Sequence, residues 1–162
     1  MVKTVVSRIG LDEYFLKLSF VVAERSTCRR HHVGAIVVRD KYLLATGYNG
    51  APKGFDDCLK LGCLRDELHI LSGKNRELCR AVHAEENVVA QASVHGASLV
   101  GSTIYCTHTP CTTCAKLLVN CGARRFVSCI EYDDDAYKAV FKLADIIVDI
   151  LDSPLNVITM LK

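Results

Sequence analysis

The sequence predicts an α/β fold built around a mixed five-stranded sheet, and three observations carry that expectation. Two β-rich runs, Val33 to Val38 and Tyr42 to Thr46, are joined by the polar segment Arg39-Asp40-Lys41, a connection suited to an antiparallel hairpin. Beyond residue 80, helix-like and strand-like stretches alternate, which requires parallel neighbours joined by helical crossovers. The chain has 162 residues and is 50% hydrophobic, enough apolar material for one sizeable core. Residues 1–162 are therefore expected to form a single domain.

The elements follow in order. Residues 11–25 place Leu11, Phe15, Leu18 and Val22 on one helical face with charges elsewhere, an amphipathic helix. The hairpin comes next. From about residue 50 to 80 the chain carries three cysteines and little sustained periodicity, although 59–71 has room for helical turns, and it reads as a long functional insertion. A segment of that length needs something to pin it. Residues 84–94 form a helix that Gly96 closes, and 102–107 a third strand. A helix over 112–120, stopped near Gly122, precedes a fourth strand at 125–130. A last helix over 135–144 leads to a fifth strand at 146–151.

Charge and hydropathy exclude several function classes. The net formal charge is +2, so no large basic field compels a nucleic-acid partner. The longest apolar runs are interrupted, as at Asp145 and Asp149, and are far short of a membrane span. The opening MVKTVVSRIG meets Asp12 and Glu13 before any apolar stretch of leader length, which points to the cytoplasm. Nine cysteines, an odd number, cannot all pair internally, and in a reducing compartment metal binding is the favoured use.

His83-Ala84-Glu85 and Pro110-Cys111-Thr112-Thr113-Cys114 each open an expected helix, with one helix and one strand between them. A single crossover can bring them together. Two thiolates and an imidazole suit zinc and leave its fourth position open, as a catalytic site requires. The positive end of a helix helps keep both cysteines ionised. His83 alone would more often be a packed or surface histidine, and Cys111-x-x-Cys114 alone a redox pair or half of a structural site. Their combination with an acid two residues from the histidine reverses that weighting. Glu85 is placed to move protons, whereas Glu86 lies about one hundred degrees further round the helix and takes a surface or packing role.

Cys28, Cys58, Cys63 and Cys79 form a second set, proposed as a closed structural zinc site that fixes the insertion. The alternative is reduced buried thiols, or a three-cysteine site completed by His69. Cys106, Cys121 and Cys129 fall in or beside expected strands and helices and are assigned no chemistry.

H-A-E followed by P-C-x-x-C is the signature of zinc-dependent nucleobase deaminases. With Gly47-Tyr48-Asn49-Gly50, His83-Ala84-Glu85-Glu86-Asn87, Pro110 to Lys116, Cys28 and Val33-Gly34-Ala35, the chain resembles the deoxycytidylate (dCMP) deaminase family over roughly residues 15–150. The resemblance implies the three-layer α/β/α cytidine deaminase-like fold with its five-stranded mixed sheet. It also implies His83, Cys111 and Cys114 as ligands of a catalytic Zn2+, Glu85 as proton shuttle, and hydrolysis of dCMP to dUMP. Family members form homo-oligomers, hexamers among them, and many respond to dCTP and dTTP with Mg2+ accompanying the triphosphate.

For the substrate, Asn49 in its glycine-flanked turn is a candidate to bind sugar or ring, with a plain turn asparagine as the alternative. The resemblance suggests that Asn87 also faces the nucleotide, against a helix-surface role. Arg29, Arg30 and Lys53 are candidates for the phosphate, and Tyr132 for stacking on the base. His31 and His32 add a metal-capable pair of no assigned role. Two other function classes compete with this reading: deamination of a base within RNA or DNA, which the modest charge disfavours, and a non-catalytic nucleotide-binding protein, which the intact ligand set disfavours.

Overall fold

A computed structural model describes residues 8–154, so the leader reading of residues 1–7 and the tail beyond residue 154 lie outside the described residues. Five strands form one sheet: β1 (Gly34–Arg39), β2 (Tyr42–Tyr48), β3 (Thr103–Cys106), β4 (Arg125–Ser128) and β5 (Ile147–Ile150), in the order β2-β1-β3-β4-β5. β1 runs antiparallel to both β2 and β3, while β3, β4 and β5 are parallel, as the expected hairpin and crossovers require. The hairpin turns on Asp40 and Lys41, whose φ values of 52° and 68° are those of the primed two-residue turn that matches strand twist.

Strand residues alternate between two apolar layers. Ile36, Val38, Tyr105 and Val127 face α1 (Leu11–Ala23), packing on Phe15 and Leu16. Ala35, Val37, Ile104, Cys106 and Phe126 face the other way, onto α4 (Ala84–Val94), α5 (Thr112–Asn120) and α6 (Ala136–Leu143) through Ala84, Val88, Leu118, Tyr137 and Phe141. The result is helix, sheet, helix, the three layers the resemblance implied. Gly96 and Gly122, with φ of 68° and 77°, stand just beyond the ends of α4 and α5 and supply the left-handed turn that stops each helix. No helix among the described residues is long and apolar enough to cross a membrane.

The insertion holds two short helices, α2 (Cys58–Leu61) and α3 (Leu64–Glu67), and a 3-10 turn at Arg76–Leu78. Its neck is closed by a backbone bridge in which Gly50 and Val82 exchange hydrogen bonds of 3.2 and 2.9 Å. Its body is tied down by Arg30, which meets Asp66 at 3.0 Å and donates to the Ile70 carbonyl at 2.7 Å, and by Arg76, which pairs with Asp134. These polar links pin the segment, the task also expected of a second metal.

Candidate active site

His83 is the residue at which α4 begins, its backbone still extended, and Glu86 one turn later accepts a hydrogen bond from the His83 N–H at 2.8 Å. Glu86 therefore caps the helix, a more definite task than the surface or packing role expected of it. Glu85 projects differently. Its side chain is 4% exposed, and burial pushes its carboxyl from an ordinary 4.5 up to about 7, against the pull of His83.

Cys111 holds the same position on α5 that His83 holds on α4, directly after the buried Pro110. The start of that helix is fixed from the loop that follows β4. Asp134, beyond β4, accepts hydrogen bonds from the Thr112 N–H at 2.9 Å and the Thr112 hydroxyl at 3.0 Å, and it also holds Arg76. Both helices lie on one face of the sheet, so their positive ends meet.

The His83 Nδ1 atom is 3.6 Å from Cys111 Sγ and 3.5 Å from Cys114 Sγ, and all three ligand atoms lie within 4.8 Å of one another. Tetrahedral zinc with bonds of about 2.0–2.3 Å separates its ligand atoms by about 3.5–3.8 Å, so the donor set fits the ion in both chemistry and spacing. Cys111 is held well below the usual thiol range, first by a hydrogen bond from the Cys114 thiol and then by His83; His83 is correspondingly raised, chiefly by Cys111. A metal binding here displaces these shared protons.

One cavity connects this centre to the other residues in question. Glu85, His83 and Cys111 line it, as do Asn49, Arg30 and Tyr132. The Tyr132 ring stands on the wall with the Arg76 guanidinium 5.5 Å from its centroid. The Asn49 amide is engaged by the chain itself. Its Oδ1 accepts from the Ser26 hydroxyl and, at 2.9 Å, from the Val33 N–H, and its Nδ2 donates to the His31 carbonyl at 2.8 Å. Asn49 thus organises the 26–33 loop as well as facing the cavity.

Two candidates are placed elsewhere. Asn87 donates to the Tyr48 carbonyl at 2.7 Å, joining α4 to β2, and is not on the cavity wall, because it sits one turn past His83 on the side that meets the sheet edge. Lys53 is exposed on the 51–57 loop and does not line the cavity; Arg29 is exposed as well. The basic residue that does line it, besides Arg30, is Arg65 of α3, which the sequence reading missed. It lies in a segment without periodicity, two residues after a cysteine, and nothing local marks it as buried.

Cys28, Cys58, Cys63 and Cys79 all line the same cavity. Burial raises the Cys58 thiol, and its neighbours Cys28, Cys79 and Cys63 raise it further. Among the described residues, however, only His83, Cys111 and Cys114 bring three ligand atoms within 4.8 Å of one another. None of the nine cysteines is in a disulfide, and burial pushes the Cys106, Cys121 and Cys129 thiols up, in keeping with unreactive packing roles.

The chain is similar to proteins of one family. The family model for the cytidine and deoxycytidylate deaminase zinc-binding region matches residues 10–130. The deoxycytidylate deaminase of Mycobacterium phage D29 is 40% identical over 126 residues, covering 75% of this chain and 95% of the phage protein. That of Schizosaccharomyces pombe is 35% identical over 134 residues, 82% of this chain, and the chain spans only 41% of the yeast protein's length. Among solved structures, the dCMP deaminase of cyanophage S-TIM5 in complex with dCMP and dUMP matches with a TM-score of 0.74 at 28% identity, covering 90% of this chain and 99% of that one.

Proposed function

Because this chain belongs to the cytidine and deoxycytidylate deaminase zinc-binding family, we propose that it hydrolyses dCMP to dUMP and ammonia, with residues 1–162 acting as one domain. The observation that carries the reading is the convergence of His83, Cys111 and Cys114 beside the buried carboxyl of Glu85. Bound zinc supplies the Lewis acidity that makes water a nucleophile near neutral pH. Glu85 takes a proton from the attacking water and passes it to the ring nitrogen next to the reacting carbon; it then takes the second proton, from the hydroxyl now on that carbon, and gives it to the departing amine as the carbon–nitrogen bond breaks. A carboxyl held near neutrality suits both directions of transfer. Tyr132 packs against the base and Arg30 reaches the phosphate, while Asn49 shapes the loop over the sugar.

The finer expectations extend this reading. A second Zn2+ at Cys28, Cys58, Cys63 and Cys79 is supported by their shared cavity wall. Nine free cysteines support a cytoplasmic setting. Homo-oligomer formation is supported by exposed Phe55, Leu59 and Leu71 on the insertion, and sedimentation velocity reads it directly. Regulation by dCTP and dTTP with Mg2+ rests on the family resemblance and is tested by titrating each triphosphate into the turnover assay.

The deciding experiment measures ammonia release from dCMP, CMP, deoxycytidine and a cytidine- or adenosine-containing RNA, with Glu85→Gln as control. Turnover of dCMP that vanishes in the variant supports the reading. Turnover confined to RNA sinks it.

A further inference from the structure

Arg65 is a buried arginine without a carboxylate partner among the described residues. It is 6% exposed, its Nη2 donates to the Leu71 carbonyl at 2.7 Å, and its Nε is buried with no hydrogen-bond partner. No carboxylate among the described residues lies within 4.0 Å of it, although the neighbouring Asp66 is paired with Arg30. A buried guanidinium in that state is costly unless an anion completes it. Arg30, although paired with Asp66, also has one buried nitrogen, Nη1, without a hydrogen-bond partner. His31 lies close enough to both that their charges, after burial, lower its affinity for a proton. All three line the cavity that also holds His83 and Glu85.

We propose that Arg65, delivered by the cysteine-bearing insertion, is a specificity-determining residue that binds the 5′-phosphate of the substrate together with Arg30 and His31. The proposal rests on the reading of this cavity as a nucleotide deaminase site. It gives the insertion a task in substrate choice. A nucleoside leaves the Arg65 Nε and the Arg30 Nη1 as unpaired as they stand here, whereas a nucleoside monophosphate satisfies both, and discrimination follows from that difference. Phosphate suits the set because one guanidinium fork and a second cation can share its oxygens.

Cys63 precedes Arg65 by two residues, so thiolates of a metal-loaded cysteine set are the competing counterion, and the test separates the two. Values of kcat/KM for dCMP and deoxycytidine are measured for wild type, Arg65→Gln and Arg65→Lys, with zinc content determined on each. The expected result is a fall in the dCMP-to-deoxycytidine ratio on the order of 10- to 100-fold in Arg65→Gln, smaller in Arg65→Lys, with zinc content unchanged. An unchanged ratio overturns the proposal, and an unchanged ratio with lost zinc assigns Arg65 to the cysteines. A second arm uses inorganic phosphate alone on the zinc-loaded protein. Phosphate raises the melting temperature of wild type and not of Arg65→Gln if the subsite exists, and equal shifts in both proteins overturn it. A wild type inactive on dCMP defeats the nucleotide reading, while this phosphate difference still reports on the subsite by itself.

Discussion

Burial does opposite things to Glu85 and His108, and each consequence can be measured. Glu85 is kept near neutrality by its removal from water, and it is not among the metal-binding atoms. Glu85→Gln preserves shape and hydrogen bonding while deleting the transferable proton. Turnover should therefore fall by about 10²–10⁴-fold with zinc stoichiometry intact; a variant that loses its zinc would move Glu85 into the ligand set. His108 is pushed down to about 4, first by burial and then by the nearby His31. Its folded value lies below the unfolded 6.5, so between those pH values the unfolded chain binds a proton that the folded one refuses. Stability contributed by the neutral ring is present above pH 6.5 and is lost as the pH falls through this window, by roughly 1–3 kcal/mol. In the metal-free protein, where metal release cannot contribute, urea midpoints should drop from pH 7 to about pH 4.5 less steeply in His108→Gln than in wild type. Parallel pH profiles would show that His108 does not carry the effect.

At the scale of elements, the site depends on where α4 and α5 begin, and each start is fixed by a contact distant in sequence. Gly47 of β2 lies against α4 so closely that a β-carbon there would stand 2.4 Å from both the Ala84 carbonyl oxygen and the Val88 nitrogen. Both are backbone atoms and cannot yield without moving the helix that carries His83 and Glu85. Gly47→Ala should cost about 1–3 kcal/mol in chemical denaturation and weaken zinc retention in a chelator competition. A stable variant with normal zinc affinity would mean that the strand, not α4, gives way. Asp134→Ala removes the anchor of Thr112 and the partner of Arg76. A loss of about 1–2 kcal/mol is expected, with faster zinc release because Cys111 stands at the loosened helix start. The helices over 84–94 and 112–120 were legible in the sequence because each is a run without breakers that ends at a closing glycine, Gly96 or Gly122. The links that aim them were not. Asp134 sits within a run of three aspartates that reads as solvated surface, and its partner Thr112 is 22 residues away. Arg65 was overlooked in favour of the exposed Lys53 for the same reason. Burial inside a segment without periodicity is decided by tertiary contacts, and charge alone does not reveal which cation faces inward.

For the molecule as a whole, the question is whether the insertion is held by its own polar links or by metal as well. The Gly50–Val82 bridge, the contacts of Arg30 with Asp66 and Ile70, and the pairing of Arg76 with Asp134 already fix it at three places. Four cysteines nonetheless line the cavity, and burial together with the other three disfavours ionisation of Cys58, a penalty that a cation would remove. Since metal binding to a site absent from the unfolded chain is itself folding free energy, a zinc there would make the insertion the part of the protein most sensitive to chelation. Wild type should then contain about two zinc equivalents, Cys58→Ser about one, and Cys111→Ser about one of the opposite kind. Limited proteolysis should cut Cys58→Ser between residues 50 and 80 while sparing Cys111→Ser there, because only the first loses the metal that clasps the segment. One equivalent in wild type, unchanged by Cys58→Ser, would leave the polar links as the sole clasp. Arg30→Gln would then be the substitution that exposes the insertion to protease, since it severs the contacts to both Asp66 and Ile70.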